Sequence, residues 1–170
     1  LDANRAKAQV ANKCNLEISN IKKMTIWGNH SPTMYPDLDN AEIKGESASG
    51  WINDQNWIES DFLRIVQQRG KAIIDARGAS SATSAANAAI DTVKATLSET
   101  PADDWFSAAV LSDGSYNVPE GLIFGFPLKA DANGKVSIVQ DLPISDYAQE
   151  KINLTTQELL DEKNDIKDLL

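Results

Sequence analysis

Residues 122–139 read LIFGFPLKADANGKVSIV. An apolar run from Leu122 to Lys129 meets the turn Asp131-Ala132-Asn133-Gly134, and a second run, Lys135 to Val139, returns from it. Gly134 sits where such a tight connection demands a positive φ. The stretch is an antiparallel hairpin, and it decides between two architectures. Strands joined by tight turns build an antiparallel sheet, whereas a doubly wound parallel sheet needs a helix between its strands. Just upstream, Trp105 to Leu111 alternates toward the turn Ser112-Asp113-Gly114-Ser115 and adds another strand.

Helices surround this region. Downstream, Ser145 caps an acidic, amphipathic helix expected from Asp146 to about Leu170, with Ile152, Leu159, Leu160 and Ile166 along it. At the other end, Asp2 to Cys14 is rich in Ala, Lys and Arg and reads as a helix. Ile18 to Trp27 reads as a loop leading into a strand. Gly28 to Asp37, with Pro32 and Pro36, reads as a loop, and Ala41 to Lys44 as a short strand closed by Gly45. Asn53-Asp54-Gln55 opens a helix that carries Trp57, Phe62, Leu63, Ile65 and Val66, continues past Gly70 to Ala76, and breaks at Gly78. Ser80 and Ser81 stand at the N-cap of an Ala-rich helix reaching about Leu97. The order is helix, strands, helices, hairpin, helix, which makes an α+β domain.

The chain has 170 residues, with 16 basic and 25 acidic side chains and a formal net charge of −9. So acidic a surface disfavours nucleic acid and anionic membranes as partners. Cys14 is the single cysteine, so no internal disulfide can form and no thiol cluster can hold zinc. That usage suits a reducing compartment, and a cytoplasmic location is expected. No apolar run approaches the roughly 20 residues of a membrane span, and no secretory leader is visible. A start at Leu1, without Met and inside a helix, reads as a cut domain.

His30 is the only histidine. A lone histidine is commonly structural, but Gly28-Asn29-His30-Ser31-Pro32 places it on a loop at a strand end, where functional groups are often presented. On the first helix, Asp2 and Arg5 share a face by their i,i+3 spacing. They can be a local ion pair and nothing more. They can also act on His30 and a ligand: Asp2 accepting from one ring nitrogen and fixing the tautomer, Arg5 gripping a carboxylate with two parallel hydrogen bonds. Asp103-Asp104 has no partners at metal-ligand spacing, so no metal is expected. The four tryptophans read as core or interface, the carboxylates of the last helix (Glu158, Asp161, Glu162, Asp165, Asp168) as a solvated face, and Cys14 as inert packing. Nucleotide-binding and nucleophile motifs (GxGxxG, GxxxxGK[ST], GxSxG) are absent.

Leu1-Asp2-Ala3-Asn4-Arg5-Ala6 resembles the LDxxR helix of the lactate/malate dehydrogenase superfamily. Trp27-Gly28-Asn29-His30-Ser31 with Tyr35-Pro36-Asp37 resembles the catalytic histidine loop of its cytosolic-type malate dehydrogenases. Arg69-Gly70 and Ala76-Arg77-Gly78-Ala79-Ser80-Ser81-Ala82 resemble the helix break beside their substrate, and Pro119-Glu120-Gly121-Leu122 with Gly125-Phe126-Pro127 their late hairpin. The resemblance implies the C-terminal substrate-binding and catalytic domain over residues 1–170, with the NAD-binding Rossmann half absent from this chain. It implies reversible oxidation of (S)-malate to oxaloacetate with NAD. His30 would exchange the hydroxyl proton and lie against the cofactor, Asp2 would stabilise the imidazolium, and Arg5 would hold the carboxylate. Ser80 or Ser81 would touch substrate or nicotinamide. A homodimer is implied, and the chain alone is expected to be inactive. Lactate or another 2-hydroxy acid as substrate, or a non-catalytic oligomerisation module, are the other readings.

Overall fold

The computed structural model describes residues 1–169. The first helix, α1 (Asp2–Cys14), stops where Asn15 turns to φ 53° and its N–H reaches back to the last carbonyls. Five short strands follow: β1 (Ile21–Lys22), β2 (Thr25–Trp27), β3 (Tyr35–Asp37), β4 (Glu42–Ile43) and β5 (Glu46–Ser47). β1, β4 and β5 form one antiparallel ladder, and β2 and β3 a second. The loop expected over 28–37 is therefore shorter, because Tyr35–Asp37 leave it as a buried strand opposite β2. Pro36, which lacks a ladder donor, faces Ile26 and disguises the strand. Asp37 ends it as a buried acceptor, taking hydrogen bonds from the Trp27 indole at 3.0 Å, from both the backbone and side chain of Asn40, and from the Asp39 amide. Burial pushes its carboxyl pKa up against the pull of those donors.

A five-residue helix, α2 (Ala48–Ile52), was not expected; Ser47 caps it and Asn53, at φ 46°, ends it. The next helix begins with a π-helical stretch, Trp57–Phe62, and continues as α3 (Leu63–Arg77) to Gly78, which takes φ 69°. The Ala-rich helix is α4 (Ala82–Leu97). The sheet read from the hairpin is present as β6 (Phe106–Leu111), β7 (Ile123–Ala130) and β8 (Val136–Ile138), antiparallel with β7 in the centre. The last helix, α5 (Asp146–Asp165), is capped by Ser145 Oγ accepting from the Ala148 amide. It is followed by a 3₁₀ turn, Lys167–Leu169, so it ends sooner than expected; the expected end at Leu170 lies outside the described residues.

Two apolar clusters hold these elements. Val10, Ile21, Met24, Met34, Leu38, Ile43, Phe62 and Val66 pack α1 and α3 against the first ladder. Trp27, Phe124, Phe126, Leu128 and Ile152 pack β2, β7 and α5. Each such side chain contributes about 1.5–3 kcal/mol when removed from water. Of the tryptophans, Trp27 and Trp105 are buried, whereas Trp51 is exposed beneath the Lys44 ammonium. Cys14 packs against the first cluster, and burial raises its thiol pKa, as suits an unreactive side chain.

The loop between β2 and β3 leaves the molecule where the clusters meet. Gly28 pairs with Gly125 of β7 through N–H···O bonds of 3.3 and 2.9 Å. Neither position has room for a side chain. A Cβ on Gly28 would lie 2.2 Å from Thr155, and one on Gly125 would lie 2.6 Å from the Ile26 carbonyl. Gly28 also takes φ 95°.

Candidate functional site

The two-residue ladder step out of β2 carries His30 over the start of α1. Its Nδ1 lies 2.6 Å from Asp2 Oδ2. An ionised carboxylate only accepts, so in the neutral form of the ring this contact keeps the proton on Nδ1 and leaves Nε2 with its lone pair. The ring side chain is 68% exposed, while Asp2 is 12% exposed. The acid is thus shielded and the imidazole is presented to incoming molecules.

Asp2 also uses its other oxygen. Arg5, one turn along α1, donates from Nη1 to Asp2 Oδ1 at 3.1 Å. Its Nη2 donates to Ser81 Oγ at 3.2 Å. Ser81 stands at the N-terminus of α4, but its hydroxyl makes no capping hydrogen bond. This corrects the expectation that Ser80 and Ser81 serve as caps: the Ser81 hydroxyl is committed to Arg5, and Ser80 lies one residue before the cap. Gly70 of α3 completes the arrangement. A Cβ there would sit 3.7 Å from Arg5 Nη1, an ordinary contact, so the guanidinium lies directly over this part of α3.

Arg5, Gly70 and Ser81, though not Asp2, line one cavity of about 460 Å³, together with Met34, Ile74, Ala82 and Ala85. His30, Arg5, Ser80 and Ser81 all border it, and the walls between them are mostly apolar. A fixed guanidinium opposite a directed imidazole, in apolar surroundings, can hold a small carboxylate and exchange a proton with a neighbouring oxygen. A second cleft, about 370 Å³, borders His30 on its other side and is lined by Asn29, Thr92, Ser107 and Ala108.

Sequence reasoning missed part of the surroundings. Gln67 lines the cavity and donates to the Met34 carbonyl at 2.8 Å. Thr155, Glu158 and Glu162 of α5 reach the His30 loop from the side away from Asp2. Two of these had read as a solvated face; their only signal in the sequence is the i, i+3, i+7 spacing that puts them on one side of a helix. Asp103 and Asp104 are used in ordinary contacts, Asp103 with the Lys22 ammonium and Asp104 with the amides of Lys23 and Trp105. Among the described residues no group of three His, Cys, Asp or Glu could hold a metal ion. No helix among them is long and apolar enough to cross a membrane.

The lactate/malate dehydrogenase alpha/beta C-terminal domain family matches residues 1–170. The chain belongs to the lactate/malate dehydrogenase family. Its fold is that family's C-terminal domain, with helices and antiparallel strands. A malate dehydrogenase from Naegleria fowleri is 42% identical with a TM-score of 0.91, over 99% of this chain and 51% of that one. A Trichomonas vaginalis lactate dehydrogenase, solved in complex with NADH and oxamate, is 29% identical with a TM-score of 0.90, over 98% of this chain and 52% of that one. A Plasmodium falciparum malate dehydrogenase in complex with NADH shares the fold at 22% identity and a TM-score of 0.83, over 99% of this chain and 55% of that one. The chain therefore spans about half the length of the solved dehydrogenases it matches. Lactate/malate dehydrogenases are NAD-dependent oxidoreductases, and both substrate branches are represented among these neighbours.

Proposed function

We propose that this chain is the substrate-binding and catalytic half of an NAD-dependent malate dehydrogenase that interconverts (S)-malate and oxaloacetate. The observation that carries the reading is the 2.6 Å contact from His30 Nδ1 to Asp2, with the same ring bordering the cavity that Arg5 lines. In the oxidation direction, His30 Nε2 accepts the hydroxyl proton of the substrate, and in the reverse direction it returns it. Asp2 holds the ring tautomer and faces the imidazolium that forms. Arg5 offers a planar pair of donors to the carboxylate beside the reacting carbon, supplying local attraction in a chain of net charge −9. Ser81 steers that guanidinium, and Ser80 borders the same space.

The described residues fit one end of a dinucleotide. The cleft beside Asn29, Thr92 and Ser107 adjoins His30, so a nicotinamide ring there would lie against the imidazole. The same cleft contains no lysine or arginine to meet a phosphate, so the rest of the cofactor belongs to the half that relatives carry beyond this length. When bound, a nicotinamide supplies the hydride acceptor. Malate is favoured over lactate by the higher identity to the Naegleria malate dehydrogenase, whereas the Trichomonas lactate dehydrogenase, almost equal in TM-score, supports a lactate reading. The reading carries with it a homodimer in the cytoplasm, supported by the single, unpaired cysteine and by the exposed Ile90, Val93 and Leu97 on α4.

The test is steady-state kinetics of the full-length protein with NAD and either malate or lactate. A kcat/KM for malate above that for lactate by two orders of magnitude or more supports the proposal. A preference for lactate moves the protein to the other branch, and turnover of neither leaves a non-catalytic module.

A further inference from the structure

The last helix acts on the reactive loop through three side chains on one face. Thr155, Glu158 and Glu162 stand at i, i+3 and i+7 of α5. Thr155 is fully buried, and its Oγ1 accepts from the Asn29 amide at 3.0 Å. Glu158 Oε2 accepts from Ser31 Oγ at 2.5 Å and from the Thr33 hydroxyl. Glu162 Oε1 accepts from Asn29 Nδ2 at 3.1 Å, and Asn29 Oδ1 in turn accepts from the His30 amide at 2.9 Å. The residues on both sides of His30 are thus tied to α5, while Gly28 is pressed between Thr155 and Gly125.

The chemistry of Glu158 singles it out. It is half-buried and sits against two neutral hydroxyls that flank Pro32, whose ring already fixes φ there. Hydrogen bonds to an ionised acceptor are shorter and stronger than neutral ones, so a single carboxylate oxygen can hold both hydroxyls. With Asp2 on the ring and α5 on the backbone, His30 is constrained from two sides, although 68% of its side chain is exposed. A proton carrier must be held to a fraction of an ångström to work, and an exposed loop would not supply that by itself.

We propose that Glu158, assisted by Thr155 and Glu162, is a positioning residue that holds the His30 loop over the Arg5 cavity. The inference rests on the reading of His30 as the proton carrier. The experiment compares Glu158→Ala, Glu158→Gln and His30→Gln in the full-length protein, measuring kcat and KM for the hydroxy acid and thermal stability. Glu158→Ala is expected to lower kcat by about ten- to a hundredfold, with KM within about threefold of the parent. Glu158→Gln, whose carbonyl oxygen can accept the same two hydroxyls, is expected to restore most of it. Parental kcat in Glu158→Ala overturns the inference, and so does a glutamine variant as slow as the alanine one. Should Glu158→Ala fail to fold, Ser31→Ala with Thr33→Val breaks the same bonds from the loop side; the same kcat loss is expected, and parental turnover overturns the proposal. An active His30→Gln removes the underlying reading. An inactive His30→Gln beside a fully active Glu158→Ala removes the positioning role alone.

Discussion

The Arg5 guanidinium donates to Ser81 Oγ at 3.2 Å across 76 residues of chain. With Asp2 on its Nη1, it is directed before any ligand arrives. Such a fork loses little freedom on gripping a carboxylate, and a lysine cannot reproduce it. Arg5→Lys is therefore expected to lower kcat/KM for the hydroxy acid about a hundredfold or more, a cost of several kcal/mol in transition-state stabilisation. Turnover within a factor of about two of the parent would count against the clamp.

His30 is mostly exposed and contributes little to packing. His30→Gln should leave the melting temperature within about 2 °C, since surface changes are worth about 0.5 kcal/mol or less. Turnover should fall by about 10²–10⁴. Turnover within a factor of about two of the parent would contradict the assignment.

Gly28→Ala meets two obstacles at once, a Cβ 2.2 Å from Thr155 and a backbone at φ 95°. A loss of about 2–4 kcal/mol in denaturant unfolding is expected. Adding Thr155→Ala removes the two atoms at 2.2 Å but leaves the Cβ of residue 155 at 2.7 Å, as well as the backbone strain, so recovery should be partial. Full recovery would show that the φ imposes no cost.

Tyr35, Tyr116 and Tyr147 all have raised phenol pKa values, each chiefly through desolvation. A folded pKa above the unfolded one means that the stabilisation is complete below the ordinary tyrosine value near 10 and is lost as the pH rises through the folded value. Stability should therefore decline in the alkaline range above pH 10. Tyrosinate absorbance should appear together with unfolding, and ionisation of all three in the native protein near pH 10 would contradict it.

What could be read beforehand follows from how local each signal is. The hairpin of β7 and β8 was legible because its turn residues are adjacent in sequence. Asp2 and Arg5 were legible as a pair because helical spacing fixes their shared face. The strand Tyr35–Asp37 was hidden by Pro36, and helix α2 by its brevity and by Gly50. The acidic residues of α5 were the deepest miss. Charge on an amphipathic helix ordinarily faces water, and nothing near Glu158 in the chain announces the two hydroxyls that approach it from 125 and 127 residues away.

That separation has a consequence for how the protein comes into being. The amide of Asn29 is matched by a hydroxyl 126 positions later. On the ribosome the His30 loop emerges 126 residues before the hydroxyl that steadies it. A chain cut short before Thr155 would still contain His30, Asp2 and Arg5, but it would lack every hydrogen bond that α5 makes to the loop that carries His30.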